Sequence, residues 1–118
     1  MARRALFVLT TALFLGSLAA HCQTPQPTRT IVVHARKYAF SPAAITLKKG
    51  ETTKLVLISD DVRHGLAVRG LGIHFNVLPG QPNEVIVTPA ETGDYPGKCS
   101  VYCGSGHREM EFMIHVVD

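Results

Sequence analysis

Cys99-Ser100-Val101-Tyr102-Cys103-Gly104-Ser105-Gly106-His107-Arg108-Glu109-Met110 gathers two thiols, an imidazole and a thioether into twelve consecutive residues. A ligand set this soft selects copper over the hard, oxygen-seeking ions. Zinc shares the taste for Cys and His, but zinc frameworks pair one close Cys couple with a second couple farther along, and zinc has little use for a thioether. A mononuclear blue-copper centre needs one Cys with His and a weak Met, so the second cysteine discriminates. Two metals sharing two bridging sulfurs would use every donor. Gly104 and Gly106 are read as supplying the permissive backbone angles of a tight loop.

Outward from this loop the chain is a series of short apolar runs rich in β-branched residues, at 30–35, 44–47, 53–58, 65–68, 84–88 and 111–117. None carries a sustained 3.6-residue period with caps, so helices have little claim. Lys48-Lys49-Gly50, Pro79-Gly80 and Pro96-Gly97 read as turns between the runs. Strands of this length and spacing predict an all-β Greek-key β-sandwich. In that frame the 99–110 loop joins the last two strands and His64 stands where an earlier strand begins, at the same end. Loops on a rigid scaffold are where metal chemistry is usually placed.

The loop resembles that of the CuA domain of cytochrome c oxidase subunit II, a cupredoxin-like sandwich with a binuclear copper centre. Ser59-Asp60-Asp61-Val62-Arg63-His64-Gly65-Leu66 resembles the family's Asp-Val-x-His stretch, and Pro79-Gly80 within Asn76-Val77-Leu78-Pro79-Gly80 resembles a third landmark. Together these cover most of residues 30–118 in family order. The resemblance implies two copper ions, with Cys99 and Cys103 as bridging thiolates, His64 and His107 as one terminal imidazole per copper, and Met110 as a weak thioether ligand. The backbone carbonyl of Val101 becomes the other weak ligand. Many relatives place a glutamate there and use its side chain for a nearby magnesium ion, which Val101 cannot do. The chain also has no tryptophan, so the aromatic group through which many relatives take up electrons is missing, and that path falls to Leu66 or His107. The C-terminal domain of nitrous-oxide reductase carries a similar loop, but behind a large domain for which 118 residues leave no room.

Met1-Ala2-Arg3-Arg4 is basic and residues 5–20 carry no charge, the pattern of a signal peptide with small-residue cleavage sites before His21-Cys22. A retained short membrane anchor is the main competitor, though a spanning helix needs about 20 apolar residues. Lipidation of Cys22 is a third route, weakened by His21 where a small residue is wanted. Residues 21–29, with Pro25 and Pro27, read as an extended linker, and residues 30–118 as the domain, large enough for a single core of sufficient but not generous size. Either reading of the leader predicts export, to the periplasm or the outer face of the cytoplasmic membrane. The net charge is +3, of which Arg3 and Arg4 supply two, so the rest of the chain stands near neutral at +1. That excludes strong nucleic-acid binding and favours an apolar docking patch over a salt-dependent one.

Each residue also has a plainer reading. Cys99 and Cys103 alone could be a disulfide of an exported protein. Met110 alone would be core, and His64 alone a hydrogen-bonded histidine. The motif around them shifts that balance, and the disulfide becomes an expectation for the copper-free form. His34, His74 and His115 have no such support and are read as structural. Asp60-Asp61 reads first as a solvated turn, with orientation of the His64 ring as the second role. Only one of Met110 and Met113 can face the copper, since they point to opposite faces of a strand.

No nucleophile or acid/base pair is present, so catalysis belongs to a partner, and the chain is an oxidoreductase only as the electron-accepting subunit of an oxidase-like complex. The implied partners are a cytochrome c-like electron donor and a terminal oxidase or other redox acceptor, with membrane attachment through the N-terminus. A second class remains open: a periplasmic copper chaperone or storage protein holding Cu(I) on the same thiolates. A carrier gives a coloured, reversibly reducible centre, whereas a chaperone holds Cu(I) colourlessly and surrenders it.

Overall fold

The computed structural model describes residues 20–118, and the leader reading falls on residues outside that range. Nine strands form in the order β1 (Arg29–Arg36), β2 (Ala39–Ser41), β3 (Ala44–Lys48), β4 (Thr53–Ser59), β5 (His64–Val68), β6 (Ile73–Val77), β7 (Asn83–Val87), β8 (Gly93–Lys98) and β9 (Glu111–Val117), with single 3-10 turns at Arg69–Leu71 and His107–Glu109. A four-stranded sheet, β2-β1-β4-β7, packs on a five-stranded one, β3-β9-β8-β5-β6. Parallel pairings of β1 with β4 and of β3 with β9 sit among antiparallel ones, because successive strands cross between the sheets. The all-β expectation holds, and the sandwich is cupredoxin-like.

Alternation builds it. Thr53, Leu55, Leu57 and Ser59 of β4 point inward while Lys54, Val56 and Ile58 are only partly covered, and Phe112, Ile114 and Val116 of β9 do the same on the facing sheet, the period-two pattern of strands. Phe40 of β2 meets Phe112 edge to face with ring centroids 5.6 Å apart, so even the three-residue β2 is anchored in the core. Among the described residues no helix is long and apolar enough to cross a membrane.

Strands β2, β6 and β8 lie outside the six apolar runs. Pro96-Gly97, read as a turn, falls inside β8, which pairs with β9 from Gly93 to Lys98. Proline is tolerated there because β8 and β5 share only the Ala67–Lys98 pair, so the side of Pro96 away from β9 has little ladder to interrupt.

Candidate metal centre

The site stands at one end of the sandwich, where the β8–β9 loop meets the start of β5. The loop is closed at its stem: Cys99 N–H donates to the Met110 carbonyl at 3.1 Å, and Ser100 N–H donates to the Gly65 carbonyl at 3.2 Å. Its far limb turns through His107–Glu109, where His107 N–H donates to the Gly104 carbonyl and Glu109 N–H to the Gly106 carbonyl. These bonds fold a twelve-residue run back on itself, so that donors distant along the chain face one point.

The six residues singled out in the sequence come together there. Cys99 Sγ and Cys103 Sγ lie 3.9 Å apart. On the Cys99 side, His64 Nδ1 is 3.9 Å and the Val101 carbonyl oxygen 3.2 Å from the sulfur. On the Cys103 side, His107 Nδ1 is 3.9 Å and Met110 Sδ 3.4 Å away. Each sulfur therefore has one imidazole and one weaker donor beside it. Among the described residues, His64, Cys99 and Cys103 form the group whose ligand atoms all lie within 4.8 Å of one another, and His107 approaches from the Cys103 end. His64 and Met110 are fully buried and both cysteines nearly so. Met113 lies in β9 beyond the loop, leaving Met110 as the thioether that meets Cys103.

Asp61 is more than a turn residue. Its Oδ1 accepts the His64 Nε2–H at 2.7 Å and the Val62 N–H at 2.6 Å, while Oδ2 accepts the Lys37 N–H at 2.7 Å. Partial burial alone would raise this carboxyl, but the Lys37 N–H, the His64 ring and the Val62 N–H outweigh it and hold it below the ordinary carboxylate range. With Nε2 donating to Asp61, Nδ1 keeps its lone pair toward the sulfurs. The turn itself is pinned by Ser59 Oγ, which donates to the Val62 carbonyl and accepts the Asp61 N–H. A bridge between Ser59 and Pro79 ties the Pro79-Gly80 turn to the same corner.

The donors fit copper. Burial first, and then the charge of Cys99 beside it, push the Cys103 thiol up to about 11, so two thiolates this close and this dry need cations to coexist. Sulfur, imidazole and thioether are the donors that soft copper takes, and Asp61 engages the ring nitrogen facing away from them.

Other expectations are redistributed. His34 pairs with Asp60 at 2.8 Å and His115 with Asp94 at 2.6 Å, both on strand faces, and His74 is exposed on β6. Leu66 is fully buried and presents no surface. Tyr102 does: it is 77% exposed, and its ring is tilted against that of His107 at 5.9 Å. Of the two loop glycines, Gly104 has φ +140, a conformation that favours glycine. Gly106 has φ −90, which any L residue can adopt, so its missing side chain has another cause. A Cβ at Gly106 would stand 2.5 Å from the Tyr38 ring. Tyr38 was the part sequence reasoning did not place, whereas orientation of the His64 ring, read from the sequence only as the second role of Asp60-Asp61, is the contact Asp61 makes.

Residues 41–117 match the family model of cytochrome c oxidase subunit II, periplasmic domain. Cytochrome c oxidase subunit 2 of Thermus thermophilus is 35% identical over 88 residues, covering 75% of this chain and 65% of that protein. The chain thus spans less than two thirds of that relative, and 52% of a second subunit 2 from Thermus thermophilus. Among solved structures, the periplasmic domain of subunit II of cytochrome oxidase (CoxB) of Bradyrhizobium japonicum superposes with a TM-score of 0.74 at 20% identity, covering 81% of this chain and 88% of that one. Subunit II in the mixed disulfide intermediate with a thioredoxin-like TlpA superposes with a TM-score of 0.69 at 19% identity, covering 84% and 88%. These two likenesses are likenesses of fold.

Proposed function

Because the chain belongs to the cytochrome c oxidase subunit II family through its periplasmic domain, we propose that residues 30–118 carry single electrons through a binuclear copper centre held by His64, Cys99, Val101, Cys103, His107 and Met110. The observation that carries this reading is the division of donors about the Cys99–Cys103 pair, one imidazole and one weak donor at each sulfur. A single ion would leave half of that set without a role.

Bound there, copper supplies one-electron redox chemistry. The chain's own residues keep that chemistry fast by staying still. The stem hydrogen bonds hold the loop ends, Asp61 fixes the His64 ring, and burial keeps water from reorganising around the sulfurs. The surface over the site suits an apolar contact: Tyr102, Leu78 and Tyr38 are among the exposed large hydrophobics, and each belongs to a loop or turn at this end. A cytochrome c-like donor docking there, with a terminal oxidase as acceptor, completes the path. Residues 1–20 act as a signal peptide or short anchor and 21–29 as a linker, placing the domain in the periplasm or on the outer face of the cytoplasmic membrane.

A copper chaperone is not favoured, since the fully buried His64 and Met110 suit retention better than transfer. A thioredoxin-like thiol reductant is a further partner, because the two cysteines must be reduced before metal can bind and the subunit II of the mixed disulfide intermediate above is joined to such a protein.

Metal analysis of the reduced, copper-loaded protein tests the proposal. The expected result is two coppers per chain with a purple colour and a hyperfine pattern showing one electron delocalised over both. One copper with an ordinary blue-copper spectrum would overturn the binuclear assignment.

A further inference from the structure

The turn between β1 and β2, far from the ligand loop in sequence, touches both halves of the site. Lys37 N–H donates to Asp61 Oδ2 at 2.7 Å, and Asp61 Oδ1 holds His64 Nε2 at 2.7 Å. On the other side of the turn the Tyr38 ring lies over the ligand loop. A Cβ at Gly104 would meet the ring's Oη and, at 2.9 Å, its Cε1, while one at Gly106 would meet Cγ and Cδ2 at 2.5 Å. The hydroxyl reaches Ser105 Oγ at 3.5 Å. Two residues on, Phe40 locks the turn into the core against Phe112, which itself follows Met110 by two positions. One anchored turn therefore braces the His64 side through a carboxylate and the Cys103–His107 side through a ring.

We propose that Tyr38 is a positioning residue for the copper loop, seated on Gly104 and Gly106 so that the segment from Cys103 to His107 holds its metal-binding shape before copper arrives. The inference rests on the copper reading above for its consequence, but the brace itself belongs to the metal-free fold. Gly106 carries the sharpest part of the argument. Its backbone does not need glycine, so the absent side chain is explained by the ring that fills its place. The ring supplies the contact at Gly106, and the hydroxyl, the atom a Cβ at Gly104 would meet first, adds bonds to Ser105 and to the Gly106 backbone; aromatic packing against bare backbone covers the loop, and a segment so covered opens less often.

The test uses the full chain and four variants: Tyr38→Phe, Tyr38→Ala, Gly106→Ala, and Tyr38→Ala combined with Gly106→Ala. Amide hydrogen exchange at residues 104–107 is measured in the reduced, copper-free protein, with β4 amides as the reference for global opening. Copper loss to a Cu(I) chelator is measured in the loaded protein. Tyr38→Phe, which keeps the ring and loses only the hydroxyl, should change either rate far less than Tyr38→Ala. Tyr38→Ala should speed loop exchange and copper loss by about tenfold or more, the range seen when a supporting partner of a metal ligand is removed, with β4 exchange unchanged. Gly106→Ala alone should be as damaging, because the new methyl displaces the ring, and adding it to Tyr38→Ala should cost little more, because the ring it would strike is gone. Unchanged loop exchange in Tyr38→Ala would overturn the proposal, as would a Gly106→Ala effect of equal size with and without the ring. Should the parent take up no copper, the copper reading fails while the exchange data still decide whether the brace exists.

Discussion

Asp61 Oδ1 lies 2.7 Å from Nε2 of His64, a ring that is fully buried. The carboxylate thereby sets which nitrogen carries the proton and turns the other toward Cys99. It also places a negative charge one imidazole away from the centre. Asp61→Asn keeps an acceptor but removes the charge, so the centre should assemble and its reduction potential should rise, since the oxidised, more positive state loses a favourable neighbour. Asp61→Ala removes the acceptor as well and should weaken copper binding by about 10- to 100-fold. Voltammetry and chelator competition read the two effects separately; identical behaviour of the two variants would show that Asp61 acts only as a turn residue.

The donor ranking predicts variants that differ in kind. Cys103→Ser should abolish the binuclear centre, since an alcohol is a poor bridge for soft copper. Met110→Leu should leave it assembled at a raised potential, because only a weak bond is lost and leucine is close to methionine in volume. Copper content and the visible spectrum check both. Equal loss of copper in the two variants would make Met110 a primary ligand.

Val101→Ala should bind copper almost as the parent does, because the proposed donor is a backbone oxygen, 3.2 Å from Cys99 Sγ, which the substitution leaves in place. His74→Ala and His115→Ala should also retain two coppers. Loss of the centre in Val101→Ala would show that the side chain, rather than the carbonyl, secures that position.

The ligand run was readable in the sequence because its chemistry is local: four donors in one loop need no tertiary information to be suspected. His64 required the order of family landmarks, since 35 residues separate it from Cys99. The strands rich in β-branched residues were likewise legible, whereas β8, with Gly93, Asp94, Pro96 and Gly97, has a turn-like composition and becomes a strand by pairing with β9. Tyr38 was illegible for a different reason. Its contact with Gly106 is made across the sandwich end, and nothing in the Lys37-Tyr38 dipeptide signals a partner in the 104–106 segment. Asp61 was legible only in part: its role toward His64 stood second in the sequence reading, while its bond to Lys37 N–H appears only when the β1–β2 turn is brought beside the start of β5.

Copper uptake by the reduced protein should strengthen with rising pH. The Cys103 thiol, pushed up to about 11 chiefly by burial, is protonated at neutral pH in the metal-free state and must release that proton to bind metal. Each proton displaced contributes about a tenfold gain in apparent affinity per pH unit below the thiol's own value, so affinity falls as pH falls and levels off only above that value. Competition titrations between about pH 6 and 9, where the fold's carboxylates stay ionised, should show that slope; a flat profile would mean the sulfur binds as a thiol or does not bind.

The final prediction concerns the copper-free protein, where the export expected from the leader and the chemistry of the site pull apart. The two sulfurs stand 3.9 Å apart, against a bonded separation of about 2.05 Å, so modest side-chain movement brings them together under oxidising conditions. Copper bound to both sulfurs would prevent this. Protein isolated without copper should therefore accumulate a Cys99–Cys103 disulfide, take up no copper in that form, and recover the full centre after treatment with a thiol reductant. Mass measurement with and without alkylation detects the bond, and metal analysis before and after reduction detects the recovery. The exposed Cys22 provides the internal control, since it should alkylate in both states of the loop. Undiminished copper uptake by the fully oxidised form would show that these two sulfurs are not the bridging ligands, and the electron-transfer reading would fall with them.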